Sequence, residues 1–212
     1  MKDNTKFLGV IIDKYLDFNE HIQYIKGKIS RGLGILYKCR RLFISKTLIT
    51  LYNSFLYPYM NYCVSIWGNT YDSYLDPLIK LQKRAVRVLV GAERNSHTDP
   101  IFRKLRLLKL CQIYLYSVQL FMFKYHHQTL PDIFNDFFIR NSSFHDYNTR
   151  SQNLLRLHKP QSAKSERIIR VMGARSYNYF DCRINIDCSY LSYKVALRIC
   201  LINNDIKALG LF

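Results

Sequence analysis

The stretch from Leu75 to Val90, LDPLIKLQKRAVRVLV, constrains the fold more than any other part of the chain. At about 100° per residue, Lys80, Lys83, Arg84 and Arg87 fall within a single arc of roughly 100°, and the apolar side chains lie outside it. Asp76-Pro77 supplies an N-cap and a proline at the first helical position. Gly91 stands where a C-terminal stop belongs. The pattern predicts a helix with a wide apolar face for a core and a narrow cationic edge carrying no acid after its first turn. On an isolated helix such an edge is ordinarily a solvated face, so the rest of the chain decides what this one is for.

The rest of the chain is unusually basic. Its 212 residues, enough for one or two domains, carry 32 Lys and Arg against 15 Asp and Glu, a net charge of +17. An excess of that size implies a polyanionic partner, nucleic acid before an acidic membrane surface. The charge is also clustered. Lys26–Lys46, Lys80–Lys109 and Arg140–Arg175 together hold 24 of the 32 cations. Besides the helix edge, the candidate phosphate contacts are Lys38, Arg40 and Arg41, Arg103, Lys104 and Arg106, and Arg150 and Arg156. The alternative role for Lys38, Arg40 and Arg41 is to complete a helix C-terminus.

Lys6–Asp13, KFLGVIID, reads as a strand. Helical spacing follows from Glu20 to Phe43, interrupted by Gly27, Gly32 and Gly34, which either weaken the helix or permit close packing. Leu48–Trp67 is a twenty-residue run without charge, long enough for a bilayer span. Its Asn53, Ser54, Pro58, Asn61 and Ser65 argue for a buried helix instead, kinked or divided at Pro58, with Trp67 as a core anchor. Asp99-Pro100 opens a short basic helix. Leu110–His127 is apolar almost all round and belongs in an interior, and Pro131–Phe138 suits one more short helix. Texture changes at Arg140. Short strands fit Leu154–Leu157 and Ile168–Val171, and Leu191–Leu209 is helical again. The expected fold is mainly α: a helical bundle with a short N-terminal strand and a less regular C-terminal part, helical or α+β. The expected domains are 1–18, 19–139 and 140–212.

A catalytic centre is not legible. Two-metal phosphoryl chemistry needs convergent carboxylates, and Asp13/Asp17, Asp72/Asp76 and Asp132/Asp136 read as caps and solvated acids. There is no P-loop, HExxH or GxSxG motif. Six cysteines lack CxxC spacing and no zinc ligand series appears. The N-terminus has no apolar signal core. The expectation is an intracellular protein with reduced thiols, nucleus or cytoplasm left open, with neither cofactor nor metal and no membrane.

The order of the segments resembles the C-terminal part of the reverse transcriptases of jockey-like non-LTR retrotransposons. KFLGVIID is followed by Leu16-Asp17-Phe18 and His21-Ile22, then by KISRGLGIL at Lys28–Leu36. Leu51-Tyr52-Asn53-Ser54-Phe55 follows with Pro58 and Tyr62, then Ile66-Trp67-Gly68, then Leu81-Gln82-Lys83-Arg84-Ala85 with Arg87. HDYNTRS at His145–Ser151 resembles the family's tail. Tyr177-Asn178 stands where that tail usually carries a Trp-Asn pair, a departure.

The resemblance implies that Phe7, Leu8 and Gly9 match the hairpin that grips the primer end, and that the helices after it match the thumb holding the template–primer duplex. It also implies that the Tyr-x-Asp-Asp segment, with its Mg²⁺, and the nucleotide-binding fingers lie upstream in the family, so that this chain is a truncated piece without polymerase activity of its own. With the palm missing, Phe7 and Leu8 are expected to turn into the core. Two functional readings follow. In one, the chain binds RNA, an RNA–DNA hybrid or DNA duplex through its phosphates. In the other, it is a helical interaction domain that packs on the missing palm or another protein. The oligomeric state stays open.

Overall fold

KFLGVIID forms a hairpin, not one strand. In the computed structural model, which describes residues 4–143, 151–181 and 183–203, β1 (Asn4–Phe7) pairs antiparallel with β2 (Val10–Asp13), with Phe7 opposite Val10. Leu8 and Gly9 make the two-residue turn, with φ of 45° and 87°. Positive φ at both positions matches the twist of the flanking strands. Gly9 adopts it freely, whereas Leu8 is strained there and its carbonyl accepts the Tyr62 hydroxyl at 2.5 Å. The side chains of Phe7 and Leu8 are nevertheless 62% and 74% exposed. They do not join the core.

The hairpin runs into the helices through Asp13. Its carboxylate accepts the backbone N–H groups of Tyr15, Asp17 and Phe18 at 3.0, 3.0 and 2.6 Å. Burial works to raise the Asp13 carboxyl, but these donors favour the charged form and hold it below its ordinary value. Helix α1 (Asn19–Cys39) then buries Ile22, Ile25, Ile29, Leu33 and Leu36, the spacing read from the sequence. Only one of its glycines serves close packing. A Cβ on Gly32 would lie 2.9 Å from the Phe55 carbonyl oxygen and from Leu56 Cδ1, while Gly27 and Gly34 face open space.

The uncharged run is three helices: α2 (Ser45–Phe55), α3 (Tyr57–Asn61) and α4 (Val64–Trp67). Pro58 occupies the first turn of α3, where a missing N–H is harmless, and Cys63 breaks α3 from α4 with φ of 50°. The burial rhythm survives the breaks: Leu48, Tyr52, Leu56, Met60 and Val64 are all buried. Trp67 is fully buried and its indole N–H donates to the Tyr62 carbonyl. Among the described residues no helix is long and apolar enough to cross a membrane.

The anchoring helix, α5 (Asp72–Val90), begins a turn earlier than Asp76-Pro77 suggests. Pro77 therefore lies inside it and removes one early backbone bond. Burial of Leu75 and Leu78 on either side offsets that loss. The far end is as expected: Gly91 has φ of 67° and the N–H groups of Gly91 and Ala92 return to Val88 and Arg87. Helix α6 (Asp99–Leu105) and helix α7 (Leu110–His126) follow. Packing is densest between α1 and α5.

Two compact units divide the chain, Met1–Tyr114 and Leu115–Phe212, so the division falls inside α7. The texture change at Arg140 lies within the second unit. That unit holds the end of α7, 3₁₀ turns at Asp132–Phe137 and Asn141–Ser143, and helices α8 (Ala163–Glu166), α9 (Ile169–Asp181) and α10 (Tyr190–Asn203). Ile168–Val171 thus opens a helix. Val171, Met172, Tyr177 and Phe180 are buried at helical spacing, which overrides the local β-propensity. Leu155 makes a single bridge to Arg140. Its N–H and carbonyl are both taken by the Asn178 amide, at 2.8 and 2.7 Å, which closes Leu155 off from further strand pairing. The architecture of the described residues is mainly α, with ten α-helices and one two-stranded sheet.

Candidate nucleic-acid interface

The cationic edge of α5 is where the wheel places it. Between Leu78 and Leu89 every residue is buried except Ile79, Lys80, Lys83, Arg84 and Arg87. What holds this face in position is Gln82, fully inside. Its amide nitrogen donates to the Tyr52 hydroxyl at 3.0 Å and to the Leu108 carbonyl at 2.9 Å, and its oxygen accepts the Leu110 N–H at 2.9 Å. One side chain thereby ties α5 to α2 and to the start of α7. The sequence shows Gln82 only as a polar residue on an apolar face.

The four cations do not share one environment. Lys80 pairs with Asp76 one turn back at 2.5 Å. Lys83 lies near Asp99 of α6 without an ion pair between them, and Asp99 pairs with Lys109 at 2.9 Å. Burial works to raise the Asp99 carboxyl, but Lys109, with His97 and Lys83 nearby, outweighs it and holds the group below its ordinary value. The edge therefore does meet acids: Asp76 from its own second turn and Asp99 from the next helix. Arg84 and Arg87 look the other way, into a basin of about 950 Å³.

That basin lies at the joint between α1, α2 and α5. Arg40 and Arg41 enter it from the end of α1, Arg84 and Arg87 from α5, and Arg94 from the loop beyond Gly91. No aspartate or glutamate is among its lining residues. Arg87 is fixed by a bond from Nε to the Ser96 carbonyl at 2.9 Å, and the Arg40 guanidinium lies 5.4 Å from the centre of the Tyr37 ring. The first turn of α2 also opens here, through Ile44 and Ser45; it contains no acid and has no side-chain cap. Uncapped backbone N–H groups beside guanidinium groups suit an anion. The sequence gives Arg40, Arg41, Arg84 and Arg87 but not their meeting, and it misses Arg94. The left-handed stop at Gly91, which turns the chain back over the helix end, is the signal for Arg94.

The remaining candidates lie elsewhere. Lys38 is exposed near the end of α1 but does not line the basin, and Arg103, Lys104 and Arg106 are exposed at α6, Arg106 with φ of 52°. Arg156 is an exposed residue of the second unit, and its N–H donates to the Ile139 carbonyl. Arg150 and most of HDYNTRS lie outside the described residues. Phe7, Leu8 and Gly9 form the exposed hairpin tip. Among the described residues no three His, Cys, Asp or Glu side chains converge as metal ligands.

A mainly helical chain with a tight hairpin before its helices and a cationic joint agrees with the motif order read from the sequence. Over about half its length the chain is similar in sequence to RNA-directed DNA polymerases of mobile elements. It is 29% identical over 107 residues, 49% of the chain, to the probable RNA-directed DNA polymerase from transposon X-element of Drosophila melanogaster. It is 28% identical over 109 residues, 50% of the chain, to the RNA-directed DNA polymerase from mobile element jockey of the same organism. Each match covers 12% of the relative's length. No family model and no solved structure matches the chain.

Proposed function

We propose that this chain is a reverse-transcriptase-derived region, thumb-like over 19–139, that holds template–primer nucleic acid by its phosphates and does not polymerise alone. One observation carries the reading: five arginines from three separate segments line one basin whose lining contains no carboxylate. Such a surface recognises phosphate and helical shape without reading base edges. The apolar faces of α1 and α5 belong to the core, which leaves the cations on the surface. The proposal uses Arg40, Arg41, Arg84, Arg87 and Arg94 and gives a smaller part to Lys80, which pairs with Asp76, and to Lys83, which lies outside the basin.

Binding to a recessed duplex with an overhang, titrated from low to moderate salt, tests this. Contact with about four phosphates gives a log–log slope of about −3 to −4. Affinity indifferent to salt, or unchanged in an Arg40/Arg41/Arg84/Arg94→Ala variant, refutes the reading. Primer extension by the chain with Mg²⁺ and nucleotides would refute its last clause.

A second reading rests on the hairpin. Phe7, Leu8, Tyr15 and Leu16 are all more than 60% exposed, an apolar tip suited to a protein partner such as a polymerase palm. Sedimentation at rising concentration separates the two: self-association lost in a Phe7→Ser/Leu8→Ser variant, without nucleic-acid affinity, favours the interaction domain.

A further inference from the structure

Resting on the phosphate-binding reading, we infer that the arginine basin takes the single-stranded part of a nucleic acid, seating phosphates on its arginines and a base against Phe43. The basin is lined by two chemistries. Beside the guanidinium groups stand Tyr37 and Phe43, which are 44% and 48% exposed. A site that grips only phosphates has no use for open rings, and a paired duplex keeps its bases stacked away from them. Unpaired bases present flat faces that stack on aromatic rings, while cations track the backbone.

The two rings have different duties. Tyr37 already carries the Arg40 guanidinium over its face, which orients that cation toward the basin. Phe43 lies in the link between α1 and α2, after a turn in which the Leu42 and Phe43 N–H groups both bond the Cys39 carbonyl. Two residues further on, Ser45 opens α2 with its uncapped N–H groups. A phosphate at that helix start and at Arg41 leaves the attached base beside Phe43. The volume, about 950 Å³, sits at the upper end of the roughly 300–1,000 Å³ of small-ligand pockets. That admits a short unpaired strand.

The test measures fluorescence anisotropy of the full chain with a labelled oligouridylate, an oligothymidylate of the same length and a blunt hairpin duplex, each about twelve nucleotides per strand. Single strands should bind about tenfold tighter than the blunt duplex. Phe43→Ala should lose about tenfold on single strands, a typical cost of one stacked base, and leave the duplex unchanged. Phe43→Trp should keep the affinity, with its indole emission quenched on binding. Equal loss on U and T assigns the site to single strands of either sugar, and loss on U alone to RNA. Salt-dependent binding of all three probes with no strand preference and a silent Phe43→Ala overturns this inference and leaves the phosphate reading standing. Failure to bind any probe removes both.

Discussion

Replacing Gln82 by Leu should destabilise the first unit by about 3 kcal/mol. The side chain is buried and its amide satisfies three groups that are themselves buried: the Tyr52 hydroxyl, the Leu108 carbonyl and the Leu110 N–H. Each group left without a partner costs about 1–3 kcal/mol. The Leu110 N–H has no second option, whereas the carbonyl and the hydroxyl retain other hydrogen-bonding capacity, so the sum falls near the lower end, at about 4 kcal/mol. The greater apolar burial of Leu returns about 1 kcal/mol. Trp67 is the chain's single tryptophan and is fully buried in the same unit, so its emission reports this unfolding directly. With a urea dependence of about 2 kcal/mol per molar, the midpoint should fall by about 1.5 M. A Gln82→Glu variant sharpens the argument. Its second oxygen would face the Leu108 carbonyl, lone pair to lone pair, unless protonated. Burial raises the folded-state pKa of that glutamate above about 4.3. Its stability is therefore greatest below the unfolded pKa and is lost as pH rises through the folded one. A midpoint shift under about 0.5 M for the Leu variant, or a Glu variant indifferent to pH, would refute the clamp.

Four further outcomes follow from single residues. Asp13 should make stability pH-dependent: its carboxyl is held below the ordinary value by its N–H donors against the opposing effect of burial. That contribution is full above about pH 4 and lost as pH falls through the lowered folded value, and acid titration of Asp13→Asn should show this component gone. Gly34→Ala should raise the urea midpoint by the equivalent of about 0.5–1 kcal/mol, since the position is helical and open. Gly32→Ala should lower it instead, because the new methyl would meet the Phe55 carbonyl. Asn178→Ala should speed hydrogen exchange at the Leu155 amide by about fivefold or more, the loss of a bond worth about 1 kcal/mol or more.

The contrast between what the sequence showed and what it hid is physical. Period and sign were visible: the buried face of α1, the left-handed stop at Gly91 and the exposed strip on α5 all follow from local spacing. Long-range partners were not. The strip reads as one edge because a helical wheel shows only its own helix, and Asp99 arrives from the next. Local spacing alone did not show the turn at Leu8 and Gly9, which only the family resemblance implied, because a two-residue turn needs no polar residue when a distant Tyr62 secures it. Ile168–Val171 looked like a strand because three β-branched residues outweigh a helical pattern whose buried positions come later. The basin was invisible as a unit, since its arginines are spread from 40 to 94.

The basin's charge also decides whether its arginines are there to finish helix ends. The C-termini of α1 and α5 each present about half a negative charge, and the start of α2 about half a positive one. Set against those partial charges, five arginines leave a net excess of about 4.5 positive charges. At spacings on the order of 10 Å in water, each pair of guanidinium groups repels by about 0.4 kcal/mol, and salt near 0.1 M cuts this to about a third. Over the whole group the self-repulsion is roughly 1–2 kcal/mol. Arginines kept for stability would not be gathered at such a loss. An Arg41→Ala/Arg94→Ala variant, which spares the anchored Arg87 and the ring-stacked Arg40, should then unfold at the same or a higher urea concentration than the parent in low salt. The difference should shrink as salt is added, while nucleic-acid affinity falls at every salt concentration. A variant destabilised by more than about 1 kcal/mol and insensitive to salt would make these side chains structural and remove the reason to place a polyanion among them.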